Sequence, residues 1–518
     1  MTINKTDELR YSRYILATIF AFATVRILIS ASIGLVQDEA YSVTIARQLS
    51  LSYFDHPPMH QWIAHFMALA VGENALVRLP FILLFAGTGW LMFVLTRLLF
   101  GARAGFITVF CLNCTPFFVF ASGAAVIPDG PLEFALAAAA VVVARLFFGP
   151  AKSANPWRAW IAVGIWLGVA GLSKYIALFF PIGLAFFLAL SPRRRHWLLH
   201  PAPYVGALVG LMVFSPVLVW NAQHDWISLR FQSGRALPGA ASVIGPFFAM
   251  IGGEFLMLTP WFFVPLVGSI LAAVRPAFTD ERYRFLLCLS LPPIVFFGLV
   301  PLWGGGAMPH WTMTGWMFTF PLMGAWIVEK WKPSVNLRRL AILPVAALTI
   351  MGGVILSQVL TGWIPRAFPS IGKFTRPDGS KRDPSQFLLD WGRLRGEPLI
   401  NGASGAAPSF VAASKWPIAG NIAVALGPTV PVLVLGDGRS LEFLYDSARF
   451  IGDDGVIVGY SYQKDTLKEA FQPYFESLDE PQIVTIGLMR LTSIDLVLIR
   501  AHKLTRPFPF PYRREGPP

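Results

Sequence analysis

Charge is scarce in this sequence. Asp, Glu, Lys and Arg make up 14% of its 518 residues, where a soluble chain carries about a quarter. Water therefore cannot be the main solvent of its surface. Cysteine is scarcer still. Cys111, Cys114 and Cys288 all lie in apolar runs, which excludes a secreted-type disulfide framework. Cys111-x-x-Cys114 reads as two small apolar residues of a membrane helix rather than a redox or metal pair. The chain has no phosphate-cradling glycine motif and no internal repeat. Its net charge of +13 comes from short basic clusters between apolar runs, without the aromatic interleaving of a nucleic-acid surface, so no nucleic-acid partner is expected. No signal-peptide cleavage pattern accompanies the first apolar run, which reads as a retained helix.

What is abundant is apolar. Hydrophobic residues reach 55%, with 17 Trp and 43 Phe, and the mean hydropathy is +0.58. Runs long enough to cross a bilayer, about 20 residues each, lie near 13–34, 76–98, 103–123, 129–148, 157–173, 174–190, 201–220, 243–273, 284–302, 311–330 and 338–362. That predicts about 11 transmembrane helices. The run at 243–273 holds Pro260 and Pro265, so a kink or an interfacial part is expected there. With the N-terminus in the cytoplasm, 18 basic residues fall in cytoplasmic segments. Five fall opposite: Arg47, Arg78, Lys174, Arg230 and Arg235. The asymmetry supports that orientation and an odd number of spans.

Beyond about residue 364 the chain turns Pro-rich and charged, and its hydrophobic residues alternate. Helices are expected near 384–396 and 464–478. Strands are expected at Val430–Leu435, Val456–Tyr460, Gln482–Gly487 and Asp495–Arg500. Gly436-Asp437-Gly438 reads as a turn, and the tail from Arg506 as irregular. The expected organisation is a transmembrane domain over 1–363, with an outer first loop at 35–75. A soluble α/β domain over 364–518 follows on the outer side.

The outer loops collect ionisable groups at the depth of the membrane boundary, where a charge is costly without a partner or a purpose. The first loop carries Asp38 and Glu39 side by side, then Asp55-His56-Pro57-Pro58. Pro128-Asp129-Gly130-Pro131 and Glu133 follow in the next, then Lys174, then Asn221, His224, Asp225, Arg230 and Arg235. The last holds Trp303, His310 and Trp311. Each has a plain structural reading as well. Asp38 and Glu39 can begin a solvated helix, Asp129 can cap one, and Lys174 can snorkel. His224 and His310 can be satisfied interfacial histidines, and the two arginines can be rim charges. Their gathering on one face points to chemistry.

Four motifs in order carry a resemblance: Asp38-Glu39-Ala40-Tyr41, Asp55-His56-Pro57-Pro58, Pro128-Asp129-Gly130-Pro131 and Gly171-Leu172-Ser173-Lys174-Tyr175. With the Trp220–Gln232 segment, they resemble the bacterial branch of the protein O-mannosyltransferase-like glycosyltransferases. That branch includes the lipid A aminoarabinose transferase and the galacturonosyl transferases of rhizobial lipopolysaccharide. The resemblance covers about residues 10–330. It implies a GT-C fold in a bacterial inner membrane and transfer of a sugar from a polyprenyl-phosphate donor at the periplasmic face. It implies catalytic roles for Asp38, as base, and for Glu39 and Asp129. Lys174, His56, Arg230 and Arg235 would bind the donor phosphate. The aminoarabinose transferase has Glu-Lys-Pro-Pro in the first loop where this chain has Asp55-His56-Pro57-Pro58, and a His is only partly protonated at neutral pH. By the same analogy Asp55 and His224 would ligate a divalent metal.

The chemistry is consistent with this. A phosphate leaving group needs charge neutralisation, from Lys174, Arg230 or Arg235, rather than a strong acid. The acceptor hydroxyl needs a base, and base catalysis is worth about 10²–10⁴ in rate. Direct attack predicts inversion at the anomeric carbon. The expected partners are a lipid-linked sugar, a lipid or glycan acceptor such as lipid A or lipopolysaccharide core, and the membrane lipids. The competing reading is a transporter or flippase of a lipid-linked sugar, which would place its ionisable groups nearer the midplane, often within inverted repeats.

Overall fold

A computed structural model of the protein describes residues 5–150, 155–235, 237, 244–330, 337–368, 390–489 and 492–512. The chain forms two compact units. One comprises Met1–Leu28, Leu51–His60 and Leu79–Leu348, and the other Ile29–Ser50, Gln61–Arg78 and Thr349–Pro518.

Fifteen helices are used below: α1 (Lys5–Ser32), α2 (Gln37–Ile45), α3 (Met59–Val71), α4 (Leu79–Phe100), α5 (Ala102–Asn113), α6 (Asp129–Phe148), α7 (Pro156–Ser173), α8 (Phe179–Leu190), α9 (Pro201–Gln223), α10 (Ile227–Gly234), α11 (Ile244–Leu258), α12 (Pro260–Val274), α13 (Glu281–Leu299), α14 (Met313–Lys330) and α15 (Leu337–Thr361). Among the described residues five spans are long and apolar enough to cross a membrane: Arg10–Ser32, Ala75–Phe100, Asp129–Phe148, Pro201–Gln223 and Glu281–Trp303. The pair α11 and α12 adds a sixth when counted as one broken span. The eleven apolar runs thus divide into complete spans and shorter or interrupted ones.

The interruptions have local causes. The run 103–123 does not continue as one helix, because Pro116 lacks the N–H that would extend α5. A π turn at Phe117–Ala121 follows. The freed polar groups are met by Arg26, buried within α1: it donates to Asn113 Oδ1 (2.9 Å) and to the carbonyls of Phe118 and Val119 (both 3.2 Å). An arginine in the middle of an apolar run is here a cap for a broken helix. The kink expected in 243–273 is a bend of 107° between α11 and α12. It falls at Thr259, in the left-handed region at φ 65°, with Pro260 as the first residue of α12. Helices α7 and α9 approach through small residues. A Cβ on Gly164 would lie 1.9 Å from the Gly206 carbonyl oxygen, and one on Gly206 2.3 Å from that of Trp160. This backbone contact is the close packing that small-xxx-small spacing permits in membranes.

In the second unit a six-stranded sheet has the order β2-β1-β3-β6-β4, with β5 also pairing β6. The strands are β1 (Phe410–Lys415), β2 (Val432–Asp437), β3 (Gly455–Tyr460), β4 (Phe475–Leu478), β5 (Gln482–Met489) and β6 (Thr492–Leu504). β1 is parallel to β2 and β3, whereas β6 is antiparallel to β3, β4 and β5. The four expected strands are present, although β2 runs on through Gly436 and Asp437, so the turn starts later than expected. Two strands, β1 and β4, were not legible. The helix expected over 464–478 ends at Phe471, and its C-terminal part forms β4, because Pro473 breaks the helix. Of the helix expected at 384–396, residues 384–389 lie outside the described residues, and Gly392–Gly396 is a single 3-10 turn. Phe410, Leu433, Ile457, Phe471, Val497 and Ile499 form the core of this sheet domain.

Candidate active site

Pro128-Asp129-Gly130-Pro131 starts α6, and Asp129 is its first residue. Its carboxylate does not cap the helix. It meets Lys174, whose Nζ lies 3.0 Å from both carboxylate oxygens. Lys174 follows the last residue of α7 in an extended conformation (φ −158°, ψ 141°) and anchors its N–H on the Ala170 carbonyl. Both residues are buried, at 4% and 5% exposure. Burying such a pair is tolerable only because each charge has its partner. Lys174 therefore does not snorkel; it points into the unit.

Other expected site residues lie in the same unit. His56 stacks edge-on against His60 at 5.7 Å. Asp55 is buried, and its carbonyl accepts from Gln232 of α10. Tyr175 Oη and Ser228 Oγ, 2.7 Å apart, tie the start of the α8 segment to α10. Arg235 lies over the Trp311 ring at 4.5 Å, and its carbonyl accepts from the Gly306 N–H at 2.7 Å. Arg230 is half-buried on α10. The corner that presents α10 is strained: Asp225 and Trp226 both have positive φ, 53° and 58°. Asn221 holds that corner, with Oδ1 accepting from the Leu229 N–H and Nδ2 donating to the Val217 carbonyl. His224 is stacked on Trp220 at 4.1 Å, with Nδ1 2.8 Å from the Trp220 carbonyl oxygen.

His310 and Glu133, already singled out in the sequence, and His60, which was not, also lie in this site. Burial, with Lys174 and Arg235 adding repulsion, holds the His310 imidazole down to about 3, although Asp129 pulls the other way. Burial, then His56 and Lys174, lowers His60 well below the ordinary value. Both rings are neutral at physiological pH. Glu133, one helical turn beyond Asp129, is fully buried beside Ser122. Both its carboxylate oxygens lack a hydrogen bond among the described residues.

Among the described residues no group of three or more His, Cys, Asp and Glu side chains is arranged to hold a metal ion.

In the second unit, the adjacent carboxylates of α2 part company. Successive helical residues point about 100° apart, so Asp38 is exposed while Glu39 is buried. Glu39 reaches back to the Val36 N–H (2.9 Å), the N3 arm of a capping box, and forms an ion pair with Arg78. Arg78 has all five of its N–H donors engaged. Two go to Glu39 and the others to the carbonyls of Ser30, Ile33 and Gly34. Arg78, read in the sequence only as an outer-loop charge, is what fixes Glu39.

Residues 55–220 match the family described as dolichyl-phosphate-mannose-protein mannosyltransferase. The lipid A galacturonosyltransferase RgtD of Rhizobium johnstonii is 24% identical over 310 residues, which are 58% of this chain. That match spans 62% of the length of this curated relative. ArnT of Cupriavidus metallidurans, solved bound to undecaprenyl phosphate, has a similar structure over 94% of this chain and 98% of its own, with a TM-score of 0.61 and 14% identity. Its apo state gives the same values.

Proposed function

The chain has the GT-C fold of the ArnT-like glycosyltransferases, and on that premise we propose that it transfers a sugar from a polyprenyl-phosphate donor to a lipid acceptor, lipid A or lipopolysaccharide core. The reaction takes place at the periplasmic face of a bacterial inner membrane. Residues 1–363 form the transferase domain proper and 364–518 the periplasmic domain. The observation that carries this reading is the buried Lys174–Asp129 pair in a fold that binds undecaprenyl phosphate in ArnT.

Lys174 has three N–H groups and gives Asp129 at most two, so a donor is left for a phosphate oxygen. Arg235 and Arg230 supply further positive charge, and His56, opposite His60, supplies a ring N–H. Asp129 holds the ammonium in place. Asp38, exposed on α2, is the base. As the acceptor oxygen bonds to the anomeric carbon, the acceptor O–H proton passes to Asp38. The bond from that carbon to the phosphate oxygen breaks, and the lipid phosphate leaves with the electron pair. The outcome is inversion.

The test is transfer of radiolabelled sugar from polyprenyl-phosphate donors to lipid extract by membranes holding wild type or Asp38→Asn. The variant should lose about 10²–10⁴ in rate at equal expression. Full activity in Asp38→Asn removes it as the base. Absence of transfer by wild type with every donor sugar tried favours the transporter.

A further inference from the structure

The C-terminal sheet has the geometry of a ligand-binding α/β domain, with its crevice filled from within the chain. Its parallel strands run in the order β2-β1-β3. The connection from β1 leads to β2 on one side, and the next leads across to β3 on the other. In such sheets the ligand crevice opens at the carboxyl ends of the strands, between the two where the direction of winding reverses. Here those are β1 and β3.

All three carboxyl ends meet helix α2 of the first loop. Trp416, directly after β1, packs against the Tyr41 ring at 5.0 Å. Ser440, three residues past β2, donates its N–H to Tyr41 Oη at 3.0 Å. Tyr460, the last residue of β3, accepts from Gln37 Nε2 at 3.4 Å. The helix following β1, Trp416–Leu426, presses backbone to backbone on α2: a Cβ on Gly420 would lie 2.6 Å from Tyr41 N and 2.8 Å from Tyr41 Cα. Arg47, just past α2, donates to the Ala423 carbonyl (2.7 Å) and to Tyr445 Oη (3.0 Å). It also forms an ion pair with Glu73 at 2.7 Å.

We propose that the C-terminal domain is a socket for α2, and that filling the switch-point crevice with Gln37 and Tyr41 sets the position of Asp38. This rests on the reading of Asp38 as the base. The residues of the socket are positioning residues: they act through the helix and touch no substrate. A displacement of about 1 Å in a catalytic group can cost about 100-fold in rate, so the rate constant is expected to depend on this contact.

The experiment uses the purified full-length protein with Gly420→Ala. Gly396→Ala serves as the control, since a Cβ there meets nothing within 4 Å. Hydrogen exchange of the amides at 37–45 reports docking, and steady-state transfer reports positioning. Gly420→Ala should raise exchange in α2 and lower kcat about 10–100-fold, with the donor KM within about twofold and the control unchanged. Tyr41→Phe, which removes the acceptor for the Ser440 N–H, should shift both readouts in the same direction by less. It serves alone if Gly420→Ala does not fold. Unchanged exchange overturns the socket. Raised exchange with unchanged kcat overturns the positioning role. If wild type transfers no sugar at all, the proposed function fails, while the exchange data still decide whether α2 is held in the crevice.

Discussion

In the helical unit a buried carboxylate, Asp129, meets Lys174; in the sheet-containing unit another, Glu39, meets Arg78. Both pairs are almost entirely excluded from water, yet they differ in what is left over. Arg78 is saturated: its planar fork satisfies two carboxylate oxygens and three carbonyls of the α1–α2 connection. Lys174 keeps at least one N–H without an acceptor among the described residues. A saturated cation holds a loop, and an unsaturated one can receive a ligand. On the proposed function, this difference would separate a structural ion pair from a ligand-binding one.

Substitution is the way to break that comparison. Lys174→Met strands Asp129 without its partner and should cost about 3–5 kcal/mol. It should also bring transfer to background. Adding Asp129→Asn should restore most of the stability, read as the unfolding midpoint in detergent, and none of the activity. Recovery of activity in the double variant would make the pair structural after all. Arg78→Met should destabilise by a similar amount, about 3–5 kcal/mol. Here Glu39→Gln added to it should not restore stability, because the carbonyls of Ser30, Ile33 and Gly34 remain unmet. A double variant as stable as wild type would show that the carbonyl contacts carry nothing.

A smaller effect separates the units by pH. His310 takes its proton near pH 3 in the folded chain and near 6.5 when unfolded. On acidification the unfolded chain binds the proton first, so stability falls from about pH 6.5 towards 3. The loss is about 1.4 kcal/mol per pH unit, or about 2 kcal/mol by pH 5. Unfolding followed against pH should show that slope in wild type and a shallower one in His310→Gln. Equal slopes would mean that His310 is not held neutral.

Much of the membrane part was legible. The run 129–148 matches α6 residue for residue, and 157–173 matches α7 to within one residue, since an apolar stretch of that length in lipid has little alternative to a helix. Where the reading missed, tertiary partners had intervened: the run 103–123 looked continuous because the partner that caps its break, Arg26, is almost ninety residues away in sequence. In the sheet domain, β4 was hidden in a helix-like pattern that Pro473 divides. At the site, the grouping of Asp129 with Lys174 followed from one-sided loops, but the bond between them did not. Asp38 and Glu39, adjacent in sequence, occupy two environments, one exposed and one locked.

By itself the sequence determined that this is a helical membrane protein with ionisable groups in alternate loops, and which motifs it shares with a glycosyltransferase branch. Hydropathy, charge asymmetry and local motifs are properties of contiguous residues. Only the tertiary structure decided which carboxylate is saturated and which histidines are neutral. It also decided that the crevice of the C-terminal sheet is filled by α2. Those outcomes depend on burial and on partners tens to hundreds of residues apart, and free energies of desolvation are set by what surrounds a group rather than by its neighbours in the chain.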